Sequence, residues 1–192
     1  MPFKRVWSGN HSRGIPEVPM QRALQAHLLT VITLLLPSAA LALDHCKPLE
    51  HLAIPDVTID AITDADQPVA HCKVDGCIGR SIRFSVWLPT NWNGKFVMGG
   101  GGGFAGSLNN QAGGIDGSWA LRDYEAIVNY GHLAVHRATV TSKAIVDDFY
   151  ARAPGASYFF DCSNGGRQAL IDAQRYPDDF DAIVAGAPAL DF

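Results

Sequence analysis

The stretch YFFDCSNGGRQALIDAQRYPDDFDAIVAGAP, residues 158–188, constrains the fold more than any other part of the chain. An apolar run leads into Ser163, two glycines follow, and a helical pattern continues to Tyr176, where Pro177 stops it. DAIVAGAP then reads as a buried strand of the parallel-sheet kind. Strand, helix and strand in that order predict an α/β sheet with right-handed crossovers. On the helix, Ala169, Leu170 and Ala173 are expected to face inward.

The preceding sequence supplies further elements. In SIRFSVWLP the apolar residues Ile82, Phe84, Val86 and Leu88 alternate, the signature of a half-buried strand. Asn91 to Gly94 form a turn, and KFVM from Lys95 is a second strand. Five glycines, Gly99 to Gly103, follow it. Between Tyr124 and Tyr150 there is no proline, and Leu133, His136, Val140, Ala144, Ile145 and Phe149 recur at helical spacings. That pattern predicts a helix from about Gly131 to Tyr150, with a shorter one before it.

The chain has 192 residues, room for one domain, and 47% of them are hydrophobic, enough for a globular core. A net charge of −4 leaves no basic footprint, which argues against a nucleic-acid partner. Near the start, Arg22, an apolar run from Leu28 to Leu36, and Ala40-Leu41-Ala42 have the layout of an export signal cleaved after Ala42. The run is short of the ~20 residues a membrane span needs. Residues 1–42 are therefore expected to be a signal peptide, with 1–19 an extra extension ahead of Met20. The mature protein is expected in a secreted or periplasmic location, with no stable membrane span.

Export makes the four cysteines candidates for disulfides. Cys46 paired with Cys72 or with Cys77 would staple the mature N-terminus, while Cys162 lies far away beside Ser163. The spacing of Cys72 and Cys77 also describes half a metal site, with no second pair to complete it.

Two motifs carry chemistry. Ser163 lies in Asp161-Cys162-Ser163-Asn164-Gly165, close to the G-x-S-x-G elbow that exposes a nucleophile on a tight strand-to-helix turn. A serine before Gly-Gly and a helix is equally a good N-cap, and both readings stand on the pentapeptide alone. Gly101, Gly103 and Gly106 satisfy a dinucleotide-binding spacing, but no helix opens on the last of them. The glycine run reads better as a loop whose bare N–H groups face a developing oxyanion, and it also fits a plain surface loop. His45, His71, His132 and His136 carry no signal beyond their residue type, and no histidine follows Ser163.

CSNGGRQALIDAQRYPDDFDAIVAGAPA, together with LPTNWNGKFVMGGGGGFAGS, DGSWAL and SKAIVDDFY, resembles the tannase and feruloyl esterase family of secreted serine esterases. The motifs occur in the family's order, from about Cys46 to Phe192. The resemblance implies an α/β-hydrolase fold, Ser163 as nucleophile, and oxyanion donors at Asn164 and at Gly102 or Gly103. It also implies a bridge from Cys162 to a cysteine beside the catalytic histidine, small aromatic esters such as feruloyl and galloyl esters as substrates, and calcium in a lid domain.

Three departures accompany the resemblance. Asp161 replaces the elbow's first glycine. Only NNQAGGI stands between the glycine loop and DGSWAL, where the family carries a further strand and loop. The lid with its calcium, the acid, and the histidine with its cysteine are expected beyond Phe192. Residues 43–192 are thus expected to form an incomplete α/β-hydrolase-type catalytic domain whose sheet ends after the strand that follows the nucleophile helix. It would hold no cofactor, leave Cys162 unpaired and carry open sheet edges. The expected function is ester hydrolysis through a serine acyl-enzyme; the alternative is a non-catalytic secreted chain that at most binds aromatic esters. The exported protein is expected to begin at Leu43, which mass spectrometry will report. An uncleaved chain in the membrane fraction would reject the export signal.

Overall fold

The computed structural model describes Cys46, Leu49 and residues 51–105 and 116–190. The export signal and segment 106–115 lie outside the described residues. Six strands form two three-stranded sheets. The first is an antiparallel meander of β1 (Val57–Ala65), β2 (His71–Ile78) and β3 (Ile82–Pro89), in the order β1-β2-β3. The second is parallel, with β4 (Lys95–Met98), β5 (Ala156–Ser163) and β6 (Ala182–Pro188) in the order β4-β5-β6.

Between β4 and β5 the chain forms helix α1 (Tyr124–Val128), a π-helical turn (Asn129–Leu133) and helix α2 (Ala134–Tyr150). The Asp123 side chain caps α1 by accepting from the Ala126 N–H at 3.0 Å. Helix α3 (Asn164–Arg175) joins β5 to β6. No helix among the described residues is long and apolar enough to cross a membrane.

β3 has the alternation its sequence demands, with Ile82, Phe84, Val86 and Leu88 all buried. Sequence periodicity overlooked the hairpin before it. Cys72, Val74, Gly76 and Ile78 alternate inward along β2, but Cys72 and Cys77 stand out as cysteines before they stand out as strand positions. β1 is largely exposed and irregular between Ile59 and Ala61, so it carries little pattern. Cys46 and Cys72 form a disulfide, and Cys77 and Cys162 are free thiols.

Both helix faces differ from the expected ones. On α2 the buried set is Val135, Ala138, Thr139, Thr141, Ser142, Ile145 and Val146, and Val140 is exposed. The stripe includes small polar residues that satisfy themselves locally: Thr139 Oγ1 donates to the Val135 carbonyl at 2.8 Å. On α3, Leu170 and Ala173 point outward, while Asn164, Gly165, Gly166, Ala169 and Asp172 are buried. β6 is also not buried on both faces. Phe160 and Val184 are register partners, Val97 lies opposite Tyr158 two residues before Phe160, and all three are more than half exposed. Parallel sheets usually have both faces covered, and among the described residues this one is covered on one face only.

Candidate active site

Ser163 closes β5 and immediately precedes α3. Its backbone lies at φ 57° and ψ −124°, a conformation that L-residues other than glycine rarely adopt, and its side chain makes no capping hydrogen bond. The residue is exposed, and its hydroxyl has no hydrogen-bond partner among the described residues. An N-cap serine takes extended backbone and hands its oxygen to the helix; Ser163 does neither. It is a strained serine held outward on a strand-to-helix turn, with the geometry of a nucleophile elbow.

The glycines beside it are required by close approach. A Cβ on Gly166 would lie 2.5 Å from the Gly186 carbonyl oxygen on β6, and one on Gly165 would lie 2.2 Å from Asp161 Cγ. Asp161, in place of the elbow's first glycine, is therefore tucked against the start of α3. Its Oδ1 accepts from the Cys162 N–H at 2.7 Å, and its Oδ2 is buried with no partner among the described residues.

The glycine loop docks onto this turn. A Cβ on Gly100 would meet the Gly165 Cα at 3.1 Å. The buried Asn164 amide donates to the Gly101 carbonyl at 2.8 Å, and the Gly101 N–H donates to Gln168 Oε1 at 3.0 Å. Asn164 Oδ1 in turn accepts from Arg167 Nε at 2.9 Å and from the Tyr130 hydroxyl at 3.3 Å. The Arg167 guanidinium also stacks over the Tyr130 ring. Two motifs more than fifty residues apart in sequence are thus pinned together by one buried amide. Asn164 is the first residue of α3, so its N–H has no intrahelical acceptor. The N–H groups of Gly102 and Gly103 likewise have no acceptor among the described residues. Gly102 does accept from the Ala105 N–H, at 2.9 Å, in a turn where Gly103 has φ 55°.

The described histidines lie elsewhere. His71, on β2, contacts the Val69 carbonyl through Nδ1 and stacks on Trp87. His132 Nδ1 is 3.0 Å from the Tyr176 hydroxyl, and His136 Nδ1 is 2.8 Å from Asp179 Oδ2 with its ring stacked on Tyr176. The His136–Asp179 pair resembles part of a catalytic relay, yet it belongs to the far end of α3. It interacts electrostatically with Asp172, which a helical rise of 1.5 Å per residue places about 12 Å from Asn164. No described histidine hydrogen-bonds Ser163, and His45 lies outside the described residues. Nor do any three or more His, Cys, Asp or Glu side chains among the described residues converge to hold a metal ion.

Asp172 itself is 1% exposed, and neither of its oxygens has a hydrogen-bond partner among the described residues. Burial pushes its pKa up to about 7, the nearby Asp179 adds to the rise, and His136 and Lys143 oppose it. The sequence singles out Ser163, Asn164 and the glycine run, but not the polar support given by the Asn164 side chain, Gln168, Arg167 and Tyr130. The one available signal was the polar cluster directly after the serine, which reads as an ordinary exposed helix start.

The fold and the strained serine define the class: an α/β protein whose parallel sheet holds a positive-φ serine on a strand-to-helix turn. Residues 110–192 match the family model described as tannase and feruloyl esterase. The chain is 35% identical over 164 residues to a probable feruloyl esterase of Arthroderma benhamiae, covering 71% of this chain and 30% of that one. It is 30% identical over 210 residues to feruloyl esterase B of Aspergillus niger, covering 85% and 40%. The crystal structure of feruloyl esterase B from Aspergillus oryzae superposes with a TM-score of 0.67 at 26% identity, over 76% of this chain and 38% of that one. Over its matched part, the chain belongs to the tannase and feruloyl esterase family. It spans less than half the length of these relatives. The 210 matched positions of the Aspergillus niger enzyme also exceed what this chain supplies. Since 85% of 192 residues is about 163, about 47 positions of that relative have no counterpart here.

Two predictions follow from this geometry. Gly165→Ala is expected to cost about 1–3 kcal/mol through overpacking against Asp161, and Asp161→Gly in the same chain should recover most of that loss. Urea denaturation of the four variants measures the coupling; additive effects would show that Asp161 does not set the constraint on Gly165. Asp172 titrates with the opposite sign to a salt-bridged aspartate. Because its folded value lies near 7 and its ordinary value is 3.8, the folded state holds a proton that the unfolded chain releases, and stability falls as pH rises from about 4 to 7. Asp172→Asn should therefore raise the melting temperature at pH 8 and change it little at pH 4, with about 2–4 °C for each kcal/mol relieved. An equal shift at both pH values would contradict this assignment.

Proposed function

We propose that Ser163 is the nucleophile of a carboxylic ester hydrolase acting on esters of aromatic acids through an acyl-enzyme. The observation that carries this reading is the backbone of Ser163, strained at φ 57° with an exposed hydroxyl and no capping bond, directly against the glycine loop. In the reaction, Ser163 Oγ attacks the ester carbonyl and a histidine takes its proton. The N–H groups of Asn164 and of Gly102 or Gly103 receive the negative oxygen, the alcohol leaves, and water then releases the acid. Asp161 places a carboxylate close to that oxygen and opposes it. Substrates of the feruloyl type are supported by the relatives, which carry that activity in their names. An export signal over residues 1–42, an incomplete catalytic domain over 43–192 and a secreted or periplasmic location complete the proposal. A second reading, a secreted chain that binds such esters without turning them over, is favoured by one observation: no described histidine reaches Ser163.

The test compares two proteins. The 192-residue chain is expected to turn over methyl ferulate at background rates, with Ser163→Ala changing nothing, because a serine hydroxyl is a weak nucleophile without a base. A chimera that adds the unmatched internal and C-terminal segments of the Aspergillus niger enzyme is expected to hydrolyse it. There Ser163→Ala should lower kcat by at least ~10³-fold, and Asp161→Gly should raise kcat. An active chimera indifferent to Ser163→Ala would sink the nucleophile assignment. Robust, Ser163-dependent turnover by the unmodified chain would show that a base is already in place.

A further inference from the structure

A cleft of about 1210 Å³ among the described residues does not include Ser163. It separates the two sheets. Every residue of β3, from Ile82 to Pro89, and every residue of β4, from Lys95 to Met98, lines it. A cavity that touches both the inward and the outward residues of a strand is meeting that strand at its edge. Among the described residues both strands are terminal in their sheets: β3 pairs only with β2, and β4 only with β5. Two unpaired edges therefore open onto the same space.

The floor of the cleft suits an extended backbone. Ala134, Ala138 and Ser142, each one turn after the last on α2, line its middle with small side chains, and Val146 and Tyr150 continue the same row with larger ones. The bare face of the parallel sheet is continuous with it, since Val97 and Phe160 belong to both. About 47 positions of the Aspergillus niger relative also have no counterpart here, so a related chain holds additional polypeptide within the matched stretch.

We propose that this cleft is an acceptor for one β-strand supplied by another polypeptide: an extended segment of about five or six residues, the commonest strand length, with apolar side chains at alternate positions. Its backbone pairs with β3 on one side and β4 on the other, joining two three-stranded sheets into one of seven strands. Main-chain hydrogen bonds supply the binding, and alternate side chains face α2. The inference does not depend on the role of Ser163.

Trp87, Trp92 and Trp119 line the cleft, so tryptophan emission reports its occupancy. The probe is a synthetic capped peptide, Lys-Val-Thr-Val-Thr-Val-Lys, titrated into the full chain. Its control carries the same side chains but is N-methylated at alternate residues, which removes backbone donors. The expected result is a saturable emission change, at least tenfold weaker for the N-methylated peptide, with hydrogen-exchange protection gained in residues 82–89 and 95–98. Equal binding of the two peptides would overturn the proposal in favour of apolar adsorption. Protection at β1 or β6 instead would assign the peptide to an outer edge. Protection of β3 and β4 before any peptide is added would mean the chain or a second copy already fills the seat, and that too would overturn it.

Discussion

Backbone-on-backbone contact where β5 turns into α3 is the constraint on which the rest of the structure depends. Gly166 rests on the Gly186 carbonyl and Gly165 on the Asp161 side chain, at distances that no Cβ tolerates, and Gly100 packs tightly on Gly165. Those contacts fix how α3 leaves the sheet, which forces Ser163 into its positive-φ conformation and turns its hydroxyl outward. They also bring the loop after β4 against the loop after β5, as parallel neighbours require. The ends of adjacent parallel strands share one side of the sheet, where sites in open α/β sheets gather. The strain at Ser163 is sustained because the surrounding backbone leaves it no alternative.

Asn164 converts that contact into a specific arrangement. Buried polar groups are expensive unless satisfied, and this amide meets the glycine loop, Arg167 and the Tyr130 hydroxyl together. Tyr130 sits in the π-helical turn between α1 and α2, a distortion often found at functional sites. The result is a rigid backing for the two sets of N–H groups proposed as oxyanion donors. Preorganisation of that kind lets backbone dipoles act without reorienting during the reaction.

Legibility in the sequence followed how far each element's pattern is set by burial alone. β3, β4, β5, α3 and β6 were readable because apolar runs and glycine or proline punctuation delimit them. Both helix faces were misjudged for a common reason. Polarity ordinarily marks the outside, yet α2 buries Thr139 and Ser142, α3 buries Asn164 and Asp172, and Leu170 is left in water. The network around Asn164 was invisible on the same ground, since Asn, Arg and Gln at a helix start read as solvent-facing. The elbow was half legible. Its glycines marked a close approach, but only the backbone angles separated an outward, strained serine from a cap.

The two sheets bear on that ambiguity as well. A parallel strand inside an α/β sheet is normally flanked on both edges and covered on both faces, whereas among the described residues β4 has one free edge and one bare face. Exposed edges beside apolar surface invite pairing with whatever extended chain is present, and many proteins blunt them with charge or proline. Here β3 ends in Pro89 and β4 begins with Lys95, but the residues between those ends on each strand carry no such guard along the cleft except Arg83. The turn at Ser163 holds next to this opening because its own contacts run the other way, from β5 to β6 and α3, rather than across the outer edge of β4. Only the glycine loop, which leaves β4 directly, is shared between the two. The order of that loop is therefore the point at which filling the cleft and shaping the candidate site are physically linked.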